Sequence, residues 1–306
     1  MPASPQTPER LLRRLEWTVL RRLDGLLHGS YRTLFRGAGL DLADVREYQP
    51  HDDVRRIDWN VTARMRDAYV KLFVEEREIT VMLVVDMSGS LDFGSREYSK
   101  RDVAAEVAAL LAFSAIKNND RVGLIIFTDR VEMFVPPKKG KKHVLRVITE
   151  ILTYQPGSRG TDLSAGLDYL GHVANRRSIA FLISDFIPSG ESARASRGAA
   201  WERSLRIASR RHDLVPITIT DPLEQELPSL GFLTAEDPET GLATEFAGWA
   251  FGRRNFGKRM QRAKQEREQL FRKLSLDFIE VSTDPARPYL PALLAFFRAR
   301  AARLHH

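Results

Sequence analysis

The feature that most constrains the fold is a regular alternation, from Ile79 onward, of strand-sized apolar runs and longer helix-like segments. A continuous run of β-branched and apolar residues is typical of a parallel strand that is buried on both faces. The predicted strands are Thr80–Val85, Arg121–Phe127, Ser178–Ser184, Asp213–Thr220 and Phe278–Val281. The predicted helices are Ser99–Lys117, Lys141–Tyr154, Leu163–Ala174, Ala199–Arg211, Arg254–Lys273 and Pro291–Arg303. This alternation predicts an α/β fold with a doubly wound, mostly parallel, Rossmann-like sheet.

Two hairpins are expected to interrupt the alternation. The run Val131–Val135 follows a predicted strand after only a short turn, which predicts an antiparallel edge strand that Pro136 and Pro137 end. Farther along, the turn-forming residues 237–241 separate two short strand-like runs. They predict a late β-hairpin insertion at residues 230–247, within a main domain of residues 79–306.

The chain before this domain has a different pattern. Leu and Val residues between Leu11 and Leu27 recur at helical spacing and predict an amphipathic helix over residues 9–28. Residues 30–75 are rich in Asp and Arg and have no strong period, apart from the strand-like run Ala68–Val74. We therefore expect residues 1–78 to form an N-terminal helical or irregular module.

Oxygen-bearing side chains lie next to the ends of the predicted strands. Asp86, Ser88 and Ser90 stand where the first strand ends, Thr161 precedes a helix, and Asp185 follows a central strand. Ligands in such sheets bind outside the carboxyl ends of the strands, so the three loops can converge. Two carboxylates and three hydroxyls are hard ligands, which suit Mg²⁺ or Mn²⁺ better than zinc or copper. The sequence therefore indicates a metal site at this edge of the sheet.

The order Asp86-x-Ser88-x-Ser90, then Thr161, then Asp185, resembles the complete metal-ion-dependent adhesion site of von Willebrand factor A (vWA) domains. The resemblance covers roughly residues 79–221 and the last strand and helix. In that family the serines and the threonine ligate the metal, and the aspartates bind it directly or through water. One coordination position stays open for an acidic side chain of a partner protein. The resemblance implies the same roles for the matching residues here.

Each part of this motif also has a simpler interpretation. A single Asp-x-Ser-x-Ser, or a single Thr-Asp before a helix, is often a helix cap. All five positions in order, on the expected loops of the expected fold, favour the metal site. Asp162 is expected to cap the following helix or to support the ligands through hydrogen bonds.

The segment 45–64 adds a second resemblance. The residues from Val45 to Trp59, with Thr62-Ala63-Arg64, resemble the signature of the bacterial family named domain of unknown function 58, and residues 237–241 resemble its late hairpin. This resemblance implies a partnership with a MoxR-type AAA+ ATPase. The chain would then be an adaptor or co-chaperone in the assembly or maturation of other proteins.

The same segment is dense in charges of both signs around Tyr48 and Trp59. Such a cluster can form a docking or regulatory surface, or it can form a clamp that holds the module to the sheet. We favour the clamp, because charges of mixed sign usually satisfy one another.

Composition limits the other classes of function. The 306 residues contain no cysteine, which excludes disulfides and thiolate metal sites. Lys and Arg number 47 against 40 Asp and Glu, a net charge of +7, and many of the cations crowd the helix Arg254–Lys273. A basic nucleic-acid-binding scaffold is therefore an alternative, although the absence of interleaved aromatic residues disfavours it. No apolar run reaches the ~18 to 20 residues of a membrane helix, and no signal-peptide core is present, so we expect a cytoplasmic protein.

The remaining alternative is a metal-assisted hydrolase or phosphotransferase with Asp86 as nucleophile. The phosphatase pattern requires a second acid two residues later, where this chain has Ser88. No general base lies near the motif in sequence, and there is no Walker A loop. The sequence therefore favours binding over catalysis, with no catalytic residue assigned.

Overall fold

The computed structural model describes residues 37–50, 52–65, 67–77, 79–95, 98–187, 191–225, 232–236, 243–247, 250–286 and 288–304. The predicted helix over residues 9–28 lies outside this part of the chain. The strands, in chain order, are β1 Gly37–Glu47, β2 Tyr69–Arg77, β3 Thr80–Asp86, β4 Arg121–Phe127, β5 Val131–Lys138, β6 Ile179–Ser184, β7 Asp213–Thr220, β8 Phe232–Glu236, β9 Ala243–Ala247 and β10 Ile279–Ser282. The helices are α1 Trp59–Thr62, α2 Lys100–Lys117, α3 Lys141–Thr153, α4 Leu163–Val173, α5 Glu191–Arg211, α6 Pro222–Gln225, α7 Ala250–Lys273 and α8 Tyr289–Leu304.

Six strands form one sheet in the order β10-β7-β6-β3-β4-β5. All neighbouring pairs are parallel except β4 and β5, which are antiparallel. Counted along the chain within this sheet, the order is that of the doubly wound Rossmann-like fold, whose strand order reverses between its first and fourth strands. The predicted α/β fold class is therefore confirmed, and the reversal lies between β3 and β6.

The parallel strands are buried because helices cover both faces of the sheet. Val81, Leu83 and Val85 of β3 pack on one face against α2, α3 and α8. Met82 and Val84 face the other side, where α4, α5 and α7 cover them. Successive side chains of a strand point to opposite faces, so one apolar run supplies both cores.

The edge strand β5 is longer than predicted. Pro136 and Pro137 were expected to end it, but the strand continues to Lys138. An edge strand tolerates proline because one side of its backbone needs no hydrogen-bonding partner.

The N-terminal module differs from the expectation of helical or irregular structure. Strands β1 and β2 form an antiparallel two-stranded sheet, in which Glu47 pairs with Tyr69 and Gly37 with Arg77. Strand β1 was missed because its sequence alternates weakly. The boundary at residue 78 between module and main domain stays a prediction.

The charged segment between β1 and β2 pairs within itself. Arg46 donates to both carboxylate oxygens of Asp52, at 2.8 and 2.7 Å. Asp53 caps the turn Val54–Arg56, and Asp58 caps α1. These bonds join the segment to its own hairpin, and Trp59 is 70% exposed. The expected clamp to the main sheet stays a prediction.

The late hairpin consists of β8 and β9, which pair antiparallel around residues that lie outside the described part. Among the helices of the described residues, none has both the length and the apolar character needed to cross a membrane.

Candidate metal centre

The candidate ligands surround the point where the strand order reverses. Asp86 is the last residue of β3, and Asp185 directly follows β6, which is the parallel neighbour of β3. At such a reversal the connections leave toward opposite faces, which opens a crevice outside the carboxyl ends of the strands. The backbone topology therefore places both aspartates at the mouth of one crevice.

The loop after β3 turns its polar side chains toward one another. The Ser88 N–H donates to Asp86 Oδ1 at 2.8 Å, and the hydroxyl oxygens of Ser88 and Ser90 are 3.0 Å apart. A 3₁₀ turn at Gly89–Asp92 follows at once and keeps this spacing. The structure thus brings the first three predicted ligands together.

Asp86 is a fully buried carboxylate. Its side chain accepts a hydrogen bond from the Ser184 hydroxyl at 2.6 Å, and it makes no salt bridge with any residue that the structure describes. Burial is the largest cause that raises the pKa of Asp86 to about 6, and the negative charge of Asp185 is the next largest. Both causes disfavour the ionised carboxylate, and a bound cation would reverse them.

The loop that contains Thr161 is joined to this centre by backbone hydrogen bonds. The Gly89 N–H donates to Arg159 O, and the Asp162 N–H donates to Thr128 O, both at 2.9 Å. Thr161 itself is 5% exposed. Asp162 accepts from the Ser164 N–H at 2.9 Å, which confirms its predicted cap at the start of α4.

Glu132 of β5 also forms hydrogen bonds that hold the loop containing Thr161. Its carboxylate accepts from the Thr128 hydroxyl at 2.9 Å and from the Gly157 N–H at 3.1 Å. The Tyr154 hydroxyl also lies 3.3 Å from it. Sequence reasoning missed Glu132, because nothing local links β5 to a loop about 25 residues later.

Asp185 has an unexpected partner in Lys100. The Lys100 ammonium, whose side chain is 0% exposed, donates to Asp185 Oδ2 at 2.6 Å and also pairs with Glu224 of α6. Burial lowers the pKa of Lys100, but the charges of Asp185 and Glu224 outweigh it and raise that pKa above its usual value. The available signal was a lysine at the first position of an apolar helix, where the helix dipole disfavours a cation.

The backbone after Asp185 is held in an uncommon conformation. Phe186 has φ of 56°, in the left-handed region, and its ring packs against Phe271 and Trp201 with centroids 5.4 and 6.2 Å apart. The Asp185 carbonyl accepts from Arg267 of α7 at 3.4 Å. Aromatic packing thus stabilises the strained turn that follows Asp185.

These residues fit a hard divalent cation. Among the residues that the structure describes, no group of three or more His, Cys, Asp or Glu side chains forms a metal-binding cluster. The candidate centre combines two carboxylates with hydroxyl groups, so a cation held there would need the hydroxyl oxygens as ligands as well. Such a set suits magnesium or manganese.

Comparisons with known proteins place the chain among relatives of unknown function. Residues 44–268 match the model of a family described as "Protein of unknown function DUF58". The uncharacterized protein Rv1480 of Mycobacterium tuberculosis is 35% identical over 292 residues, which cover 94% of this chain and 88% of that protein. An uncharacterized protein of Mycobacterium avium is 28% identical over 169 residues, 54% of this chain and 93% of its own length.

Two solved structures were also found to be similar. One is the conserved hypothetical protein BatB of Bacteroides thetaiotaomicron, with 12% identity and a TM-score of 0.45 over 74% of this chain and 98% of that one. The other is the manganese-loaded TRAP protein of Plasmodium vivax, with 20% identity and a TM-score of 0.28 over 46% of this chain and 57% of that one.

Proposed function

The chain belongs to the DUF58 family, and from the chemistry of its crevice we propose that it is a metal-dependent protein-interaction module. The observation that supports this most directly is Asp86. A carboxylate that is fully buried and has no cationic partner among the described residues is costly unless a cation binds it. The adjacent Ser88 and Ser90 hydroxyls supply further oxygen ligands at the same place.

The proposed ligands are Asp86, Ser88, Ser90, Thr161 and Asp185. Bound Mg²⁺ or Mn²⁺ would supply a Lewis-acidic position for an acidic side chain of a partner protein. The chain's own residues bury the site, fix the hydroxyl pair and hold the two flanking loops. Their mutual hydrogen bonds prepare the site for binding, which reduces the ordering cost on association.

The proposed partner is a MoxR-type AAA+ ATPase, with this chain as a cytoplasmic adaptor or co-chaperone. The basis for this partner is the family resemblance of the segment 45–64 and of residues 237–241. Such a partner would supply both the acidic side chain and the ATP hydrolysis.

The surroundings of the site favour binding over catalysis. The three histidines that the structure describes contact other regions: His143 contacts Val122 O, His172 contacts Asp168 O, and His212 contacts the Ser178 N–H. Val122 lies at the amino end of β4 and Ser178 directly precedes β6, so both are at the edge of the sheet opposite the crevice. Among the described residues, no imidazole is therefore placed to act as general base beside Asp86.

Three cations of the basic helix α7 contact other groups of the protein, which weakens the case for a nucleic-acid interface. Lys264 pairs with Glu280 at 2.6 Å, and Arg272 pairs with Glu268 at 3.0 Å. Arg267 turns inward to the Asp185 carbonyl. These cations are engaged with groups of the protein itself.

Calorimetric titration of Mg²⁺ and Mn²⁺ into chelator-treated protein tests the metal site. We expect saturable binding by the wild type and none by Asp86→Asn. Ser88→Ala and Thr161→Ala should each weaken binding about tenfold, near 1.4 kcal/mol. Ser209→Ala, which changes an exposed hydroxyl on α5, is the matched control and should bind as the wild type does.

The result that excludes this ligand assignment is wild-type affinity in the double variant Ser88→Ala/Thr161→Ala. If the site binds metal, a pull-down of a purified MoxR-type ATPase with and without Mg²⁺ tests the partner. Capture that is equal in chelator, or equal with Asp86→Asn, would contradict a metal-dependent interaction.

A further inference from the structure

Lys100 is buried in a place where a lysine is unfavourable on three counts. Its side chain is 0% exposed, so the ammonium has lost its hydration. It is the first residue of α2, where the helix dipole is positive. It also lies beside a crevice whose chemistry favours a bound cation. A residue with these costs requires strong negative charge nearby.

The negative charge comes from two elements that follow neighbouring strands. Asp185 follows β6 and Glu224 lies in α6 after β7, and the Lys100 ammonium contacts both carboxylates. Glu224 also accepts from the Asp221 N–H at 3.3 Å, which fixes α6 to the end of β7. A single ammonium group therefore connects three segments at the carboxyl edge of the sheet.

The charges of this group match one divalent ion. With Asp86, Asp185 and Glu224 ionised, Lys100 leaves the cluster two negative charges in excess. A bound divalent cation would neutralise that excess. Without Lys100, the same ion would leave one negative charge, which would repel an acidic partner.

We propose that Lys100 is a positioning residue that acts as the internal counter-ion of the metal centre: it holds Asp185 and Glu224 together in the metal-free protein and opposes the charge of the bound ion. This inference rests on the proposed function. Lys100 thereby limits the metal affinity of the site. It also leaves the metal-bound cluster without excess negative charge, so that a partner carboxylate is not repelled.

Titration and thermal unfolding of Lys100→Met, with and without Mg²⁺, test the proposal. Removal of the positive charge that contacts Asp185, a proposed ligand, should tighten Mg²⁺ binding at least about tenfold. The metal-free variant should unfold at a lower temperature than the wild type, because the buried Asp185 and the partly buried Glu224 lose their cationic partner. Added Mg²⁺ should then raise its unfolding temperature by more than it raises that of the wild type.

Three variants serve as controls. Lys100→Arg keeps the charge and should keep the wild-type affinity. Lys264→Met breaks another lysine–carboxylate pair of 2.6 Å, with Glu280, without involving a candidate ligand, and should leave the affinity unchanged. Glu224→Gln removes charge of the opposite sign from a partly exposed position and should weaken Mg²⁺ binding several-fold, which keeps the test decisive if Lys100→Met does not fold.

The outcomes separate this inference from the proposed function. In one outcome the wild type binds Mg²⁺ and Lys100→Met binds it with equal or lower affinity, while the variant loses the same stability in chelator and in Mg²⁺. The ion pair is then structural, and the inference is wrong. If only Lys100→Met binds, Lys100 opposes the ion so strongly that it replaces the metal, which supports the inference and overturns the proposed function. Binding by neither protein overturns both.

Discussion

At the scale of single residues, the Asp86 carboxylate is removed from water by the fold. It is fully buried, and burial together with Asp185 raises its pKa to about 6 from an ordinary 3.8. Because the pKa of Asp86 is higher in the folded state, the protonated carboxyl stabilises the fold at pH values below its unfolded-state pKa. This stabilisation is lost as the pH rises through the folded-state pKa. The metal-free protein should therefore lose stability between about pH 4 and pH 6 on account of this residue.

The variant Asp86→Asn keeps the shape of the side chain but cannot ionise. A shift of two pKa units corresponds to about 3 kcal/mol, so in chelator at pH 7.5 the variant should be more stable than the wild type by up to about that amount. Near pH 4 the two proteins should have similar stability. Urea unfolding at both pH values measures the difference, and other titrating groups cancel because both proteins contain them. If the free energy of unfolding depended equally on pH in the two proteins, ionisation of Asp86 would not destabilise the folded state.

The residues of the candidate centre differ in how far the sequence alone could identify them. Asp86, Ser88 and Ser90 were recognisable because their spacing is local and the strand before them has a clear apolar pattern. Lys100 was not, because its contacts with Asp185 and Glu224 join residues 85 and 124 positions apart. Only the folded sheet brings such residues together, and the unfavourable position of a lysine at the start of a helix does not identify its partners.

At the scale of elements, the edge strand β5 positions the loop that contains Thr161. Glu132 of this strand bonds the Thr128 hydroxyl and the Gly157 N–H. These contacts span the connection between α3 and α4, which contains no regular secondary structure of its own. The conformation of the loop therefore depends on these side-chain hydrogen bonds together with the backbone bonds of Arg159 and Asp162.

Replacement of Glu132 by Ala should loosen this loop while leaving the sheet intact. We expect faster amide hydrogen exchange at residues 155–160, a several-fold loss of Mg²⁺ affinity, and a loss of about 1 to 3 kcal/mol in the free energy of unfolding. Hydrogen exchange followed by mass spectrometry and calorimetric titration measure these effects. Glu150→Ala on α3 is the matched control, because the i,i+4 ion pair of Glu150 with Arg146 lies at the surface and away from the loop. Unchanged exchange in the loop of Glu132→Ala would show that the loop is held by other contacts.

The elements that sequence patterns predicted poorly share a physical reason. Strand β1 pairs with β2 in a small sheet of its own, with two irregularities in register, so its sequence lacks the alternation of a strand with one buried face. The buried strands β3 and β6 were predicted to within one or two residues, because helices on both faces require a continuous apolar run.

At the scale of the whole molecule, the carboxyl edge of the sheet concentrates acidic side chains. An aspartate stands within two residues of the end of every parallel strand: Asp86, Asp129, Asp185, Asp221 and Asp284. Asp221 is satisfied by the Ser95 N–H and the Thr283 hydroxyl, and Asp284 accepts from the Ala286 N–H. Alternation of strands and helices made the fold class predictable, but it could not distinguish aspartates that cap loops from those available to a cation.

A cation bound at the reversal point should stabilise the whole domain, because its ligands come from loops after two central strands and before α4. Binding to the folded state alone adds a free energy that grows with the logarithm of ligand concentration, about 2.7 kcal/mol at one hundred times the dissociation constant. For a chain of this size that corresponds to a rise of roughly 5 °C in the unfolding temperature. We expect the rise with Mg²⁺ in the wild type and its absence in Asp86→Asn, by calorimetry at constant ionic strength set with NaCl. An equal rise in both proteins would mean that Mg²⁺ screens the acidic edge without a defined site, since screening does not require the Asp86 carboxylate.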